Sequence, residues 1–403
     1  MSDEEEISIP SVEDAYRWCS FAPNPDGSIT RLAPFPIPIV PAVPEFHPDY
    51  NNSAANIIAL SRDIPLNTKN KTHIRIFRPR NIPSETKLSL IMHFYGGGFM
   101  WPGPNTIIYT DLCNRLAASC PAVIAAVGHR ITPEHRLPAA YDDAVEAINW
   151  AKSQAMAAAA GRYRECDPWM GELVDFSRVF LKGLGSGGNI AYQAALRALD
   201  LDLEPLKIVG LIMNQPLFGG LQRTESEIKY ADNPFFPLHV TDLAWSLSLP
   251  KGANRGHEYC DPSSFGSHWE NIGRLPTTVV RTCQEDMLVD RQQEFAMMLA
   301  ARGVHVVPQF LEGGHHAVDI IDPIFAQALC DDIRDFINST YYTSLVDEGL
   351  DWSFTALVWP QSSRPSIRGE SRSYQRGYYR YRLTQVPHWW ILTLIRCERT
   401  YGL

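Results

Sequence analysis

The stretch Gly183-Leu184-Gly185-Ser186-Gly187-Gly188-Asn189 constrains this chain more than any other. Before it runs Val179-Phe180-Leu181, an apolar triplet that reads as a buried strand. After it, Ile190, Ala194, Ala195, Ala198 and Leu199 form an apolar stripe at helical spacing. A strand that enters a helix through a tight glycine turn belongs to a sheet covered by helices. It is also the context of a nucleophile elbow, G-x-S-x-G, whose strained turn presents a serine hydroxyl. Gly183 and Gly187 stand at the glycine positions of that motif, but its middle position is Gly185 and the serine comes one residue later, at Ser186.

From about residue 72 to 338 the same alternation continues. Strands are expected at His73–Phe77, Leu88–Phe94, Ala122–Val127, Val179–Leu181, Ile208–Met213, Thr277–Arg281 and Val304–Phe310. Helices are expected near Asp111–Ser119, Ala139–Ala157, Gly188–Leu199, Arg291–Ala301 and Pro323–Ile337. This pattern implies an α/β fold with a mostly parallel central sheet, helices on both faces, and working loops at the carboxyl ends of the strands.

Three segments fall outside the alternation. Residues 1–60 are rich in proline (Pro34, Pro36, Pro38, Pro41, Pro44), which disfavours helix and central strand, so an extended N-terminal arm packed on a domain of residues 61–340 is expected. Residues 215–269, with Phe218, Phe235, Phe236 and Trp245, are too long for a simple connection and read as a cap beside the site. Residues 341–403 mix arginine with Tyr374, Tyr378, Tyr379 and Tyr381 without amphipathic period and read as an atypical, poorly ordered tail.

The net charge of -9 argues against nucleic acid as a partner. The acidic start Met1-Ser2-Asp3-Glu4-Glu5-Glu6 shows no secretory h-region, and no apolar run reaches the length of a membrane span. Eight cysteines without a C-x-x-C pair fit reduced thiols, so a cytoplasmic or nuclear location is expected and the triplets at Asn51, Asn70 and Asn338 are not glycosylated.

Four further stretches carry chemistry. Tyr95-Gly96-Gly97-Gly98, straight after a strand, can turn backbone N–H groups toward one point, as an oxyanion hole requires. Arg130–Asp143 leads into a helix, and its Glu134, His135 and arginines read as a bracing network. In Glu285-Asp286-Met287-Leu288-Val289-Asp290, Asp290 is expected to cap the following helix, which leaves Asp286 as the acid. In Glu312-Gly313-Gly314-His315-His316, a histidine on a glycine loop suits a general base. The two histidines could also bind a metal, but no other ligand cluster joins them, so neither metal nor cofactor is expected. Nucleophile position, acid and histidine follow one another in the α/β-hydrolase order.

The chain resembles the plant carboxylesterases of the α/β-hydrolase fold, in the hormone-sensitive lipase branch. The resemblance spans roughly residues 25–338 and rests on Asp63–Asn67, Ile74–Pro83, Pro133–Ala144, Asp175–Leu181, Gly187–Tyr192 and the run from Asp286 to Gln292. It implies Asp286 and His316 as catalytic acid and histidine, and Gly97, Gly98 and the Ser186 amide as an oxyanion hole. The aromatic-rich cap points to a small, largely apolar ester or ligand as partner.

The departures are equally specific. The family's His-Gly-Gly-Gly reads Tyr95-Gly96-Gly97-Gly98, its tyrosine before the Pro-Glu stretch is His129, and its nucleophile serine is Gly185. Glycine cannot form an acyl-enzyme. Three readings follow: a carboxylesterase-like protein with hydrolysis weak or lost, Ser186 being a poorly placed substitute; a small-ligand receptor, as gibberellin receptors of this resemblance bind without the catalytic histidine; or a dehydratase or cyclase using His316 and Asp286 as base.

Overall fold

The computed structural model describes residues 11–33, 37–44, 57–82, 86–101, 103–120, 122–233 and 236–346, with side chains to residue 340. The expectations for Pro34, Pro36 and Phe235, for Asn51, and for the tail beyond residue 346 lie outside the described residues. The chain divides into two compact units, Met1–Asp335 and Phe336–Leu403.

The frame of the first unit is an eight-stranded sheet in the order β10-β9-β8-β7-β5-β6-β4-β3. The strands are β3 (Ala59–Asn67), β4 (Thr72–Pro79), β5 (Leu88–Phe94), β6 (Ala122–Val127), β7 (Val174–Leu184), β8 (Ile208–Asn214), β9 (Thr278–Cys283) and β10 (Val306–Leu311). β3 and β4 run antiparallel to each other, β4 is antiparallel to β6, and the pairings from β6 through β10 are parallel. β5 and β6 are buried at every residue, which is why they read as continuous apolar runs: helices cover both faces. Those helices are α2 (Ile107–Ser119), α3 (Ala139–Ala159), α4 (Pro168–Leu173), α5 (Ser186–Ala198), α8 (Val289–Ala301) and, of α9 (Pro323–Val346), the part up to Asp335. Among the described residues no helix is long and apolar enough to cross a membrane.

The expectation of an extended arm over residues 1–60 is corrected in two places. Residues Val12–Trp18 form a helix, α1, and Phe21–Pro23 (β1) pairs antiparallel with Ile29–Arg31 (β2). Ser11 and Asp14 explain the helix: each side chain accepts from the other's backbone N–H, a capping box that precedes the prolines. Ala15, Cys19 and Phe21 belong to the buried core. The boundary at residue 60 also cuts β3, which the sequence reading missed because Pro65 interrupts its pattern. β3 is the outermost strand and its register shifts beside Pro65, a place where proline is tolerated.

Between β8 and β9 the chain leaves the sheet and forms α6 (Glu225–Lys229) and α7 (Leu238–Ser248). α7 buries Val240, Leu243, Ala244, Trp245 and Leu247, and α1 packs against it.

Candidate active site

The site is built where β5, β7, β8, β9 and β10 end. β7 stops at Leu184, Gly185 turns with φ +56° and ψ −121°, and α5 starts at Ser186. An L side chain is strained in that conformation, and glycine is not. Gly185 N–H donates to Asn214 O (3.1 Å) and its carbonyl accepts from Leu217 N–H (2.8 Å), so the end of β8 and the segment after it hold the turn from both sides. A β-carbon at residue 183 would collide with the Gly187 carbonyl, which explains glycine there as close packing.

The direction of the turn is the central finding. A β-carbon on residue 185 would stand 3.2 Å from His316 Nε2 and 3.7 Å from His316 Cε1. Ser186 faces elsewhere: its side chain is buried and its Oγ accepts from the Phe99 N–H at 3.1 Å. No hydrogen bond joins Ser186 Oγ to His316 among the described residues. The one-residue shift of the serine therefore moves it from the histidine to the glycine loop.

His316 follows β10. Its Nδ1 lies 3.0 Å from Asp286 Oδ2, so an acceptor carboxylate fixes Nδ1 as the donor and leaves the lone pair on Nε2. Burial works against charge on this ring. The adjacent Asp286 carboxylate, through its charge and its hydrogen bond, and the charge of Asp319 outweigh that and raise its pKa above the ordinary 6.5. Asp286 is itself fully buried and accepts from Leu288 N–H and from Gln292 Nε2, both at 2.9 Å. Gln292 in turn accepts from the Thr282 hydroxyl.

Gln215, the residue after β8, grips the histidine loop on both sides of His316. Its Nε2 donates to His315 O (2.9 Å) and its Oε1 accepts from Ala317 N–H (2.8 Å). Below it, Arg281 Nη1 donates to Asp319 Oδ1 (2.7 Å), and Asn214 Nδ2 donates to the other carboxylate oxygen (3.0 Å). His315 turns its Nδ1 to the carbonyl of His316 at 2.8 Å.

The glycine loop after β5 holds Gly97 at φ +116° and Gly98 at φ +60°. Among the described residues the amides of Gly97 and Gly98 have no acceptor. A β-carbon on Gly98 would press on Phe236 at 2.9 Å, and the Phe236 ring stacks on the His316 ring with centroids 6.0 Å apart. Trp101 meets Phe236 edge-on at 6.1 Å, and Trp18 of α1 lies 5.4 Å from Trp101. An aromatic wall thus runs from the N-terminal helix to the histidine.

Tyr95 and His129 stack on each other with centroids 4.4 Å apart and 8° between planes. The two positions at which this chain departs from its family resemblance around the glycine loop are therefore one contact. The Arg130–Asp143 stretch braces: Arg31 of β2 pairs with Glu134 at 2.7 Å, and Arg130 pairs with Asp143 at 2.8 Å. The expectation that Asp290 caps α8 is corrected. The cap position is Leu288, and Asp290 lies inside the first turn, where Oδ2 accepts from the Ser226 N–H of α6 at 2.8 Å.

Gln215, Gln292, Trp18 and Trp101 were not singled out by sequence reasoning, and Phe236 was read only as a cap aromatic. The polar pair follows a strand end and the acid respectively, but glutamine carries no motif that marks such a role.

The family model described as alpha/beta hydrolase fold, Abhydrolase_3, matches residues 91–320. "Probable carboxylesterase 8" of Arabidopsis thaliana is 42% identical over 332 residues, covering 82% of this chain and 95% of that protein. The gibberellin receptor GID1 of Oryza sativa subsp. japonica is 33% identical over 263 residues, covering 64% of this chain and 70% of the receptor. Among solved structures, a fungal esterase of Rhizomucor miehei superposes with a TM-score of 0.60 at 20% identity, covering 75% of this chain and 88% of the esterase.

Proposed function

This chain belongs to the Abhydrolase_3 family of the α/β-hydrolase fold, and from that membership we propose a carboxylesterase-like site for a small, largely apolar ester or ligand, with acyl-enzyme chemistry lost at residue 185. His316 is the base, Asp286 orients it, and the amides of Gly97, Gly98 and Ser186 receive developing negative charge. The helix start at Ser186 adds the positive end of α5. The observation that carries the reading is the aim of the elbow: position 185 points at His316 Nε2 while Ser186 is engaged by Phe99. Loss of a serine-hydrolase nucleophile costs on the order of a millionfold in turnover.

A test compares purified wild type with Gly185→Ser on short p-nitrophenyl esters. Weak wild-type turnover, raised at least about a hundredfold by the serine, is the expected result on the scale of a missing nucleophile. Robust wild-type turnover that Ser186→Ala abolishes would overturn it and make Ser186 the nucleophile.

A binding role is the second reading, favoured by the similarity to the gibberellin receptor and by the intact aromatic wall of Trp18, Trp101 and Phe236. Saturable binding of an apolar carboxylic ester or acid, with no turnover even in Gly185→Ser, would select it.

A further inference from the structure

We propose that water takes the part of the absent serine in this chain: a water molecule seated over the Gly185 α-carbon is activated by His316 and attacks the ester directly, with no covalent intermediate. The inference rests on the hydrolase reading above and names the route by which turnover survives.

Three observations carry it. A β-carbon on residue 185 would stand 3.2 Å from His316 Nε2, so this nitrogen faces the outer side of the Gly185 α-carbon. Apart from Gly185 itself and its chain neighbours, Nε2 and Cε1 of His316 are the only atoms within 4 Å of that position among the described residues, so no other side chain comes between Gly185 and the ring. Finally, Nδ1 is committed to Asp286, which leaves Nε2 as the ring's one available base.

The step balances without any further reagent. The water oxygen bonds to the ester carbonyl carbon as its proton passes to His316 Nε2. The carbonyl π pair moves onto oxygen, facing the amides of the glycine loop and Ser186. The tetrahedral species then collapses: the C–O bond to the alcohol breaks, and the proton on Nε2 leaves with the alkoxide. Acid and alcohol are released, and His316 is neutral again. General-base assistance of this kind contributes about 10²–10⁴-fold. It adds to the roughly 10³–10⁴-fold that the oxyanion hole and binding alone retain in serine hydrolases stripped of a triad member, a part that His316→Ala should keep.

The experiment uses the full chain with p-nitrophenyl acetate and four proteins: wild type, Gly185→Ala, Gly185→Ser and His316→Ala. The wild type is expected to turn over slowly above buffer, without a burst, and to show no acetyl adduct by intact mass and no labelling by a fluorophosphonate. Gly185→Ala puts a methyl group 3.2 Å from Nε2, crowding the approach of water to that nitrogen, and should drop turnover at least about tenfold, toward the level of His316→Ala, on the scale of a lost general base. Circular dichroism checks that the alanine variant folds; should it not, the adduct and burst measurements on wild type decide. An acetyl adduct on wild type, or Gly185→Ala as active as wild type, would overturn the water route and leave the hydrolase reading standing. So would a wild type no faster than buffer beside an active Gly185→Ser. If neither wild type nor Gly185→Ser binds or hydrolyses the ester, both readings fall.

Discussion

Glycine suits position 185 for backbone reasons and fails it for chemical ones. With φ +56° and ψ −121°, any L residue there carries strain of about 1–3 kcal/mol. Gly185→Ser should therefore gain turnover and lose stability by that amount, read from chemical denaturation of the two proteins side by side. The pH dependence belongs to His316. It must be neutral to accept a proton, and its pKa is raised above 6.5 because Asp286 outweighs the effect of burial. Hydrolysis by Gly185→Ser should therefore rise with pH through a value above 6.5, and Asp286→Asn should move that limb downward. The linked stability runs the other way: charged His316 stabilises the fold fully below 6.5, and that contribution is lost as pH rises through its folded pKa. That positions 185, 286 and 316 meet was legible because motif order and strand-end loops mark them. Gln215 and Phe236 were not, because their roles depend on which loops meet in space.

β7 shows how an element can hold a costly residue. The sequence marks only Val179–Leu181 as apolar, yet the strand runs from Val174 to Leu184 and includes Lys182, fully buried in the centre of the sheet. Lys182 Nζ has no hydrogen-bond partner among the described residues, and its neighbour across the β5–β7 pairing is the buried His93. Burial lowers the Lys182 pKa from 10.5 to about 8; Cys113, Asp319 and Cys330 offset part of this, and Arg281 adds to it. At pH 7 both folded and unfolded chains hold this proton, so the full penalty applies. It is relieved as pH rises from about 8 toward 10.5, where only the unfolded chain keeps the charge. Lys182→Met should therefore stabilise the protein at pH 7 by about 1–4 kcal/mol, with the gain shrinking above pH 8. Denaturant midpoints at pH 7 and pH 9.5 check both parts. Most of the elements could be read from their apolar periods. α1 and β3 escaped because proline-rich flanks and Pro65 masked a capping box and an edge strand.

At the scale of the molecule, residues 11–33 and the described part of the segment between β8 and β9 make one wall. α1 lies on α7, and Arg31 reaches across to Glu134 and to the Thr132 carbonyl (2.5 Å). Trp18 is 41% exposed, so it contributes little to the core while extending the aromatic line that ends at His316. Trp18→Ala should weaken binding of apolar esters several-fold, by about 1 kcal/mol for one lost aromatic contact, with the melting temperature nearly unchanged. Fluorescence titration with a non-hydrolysed ester analogue, beside a thermal scan, tests it. The grip of Gln215 and Arg281 on the His316 loop has a consequence in time as well as in space. A ribosome delivers the glycine loop, the elbow and both anchors before it delivers the base, at about 5–20 residues per second. A nascent chain halted before β10 would hold an elbow with nothing to aim at. Competence for chemistry would come late in synthesis, once the His316 loop has emerged and closed onto anchors already in place.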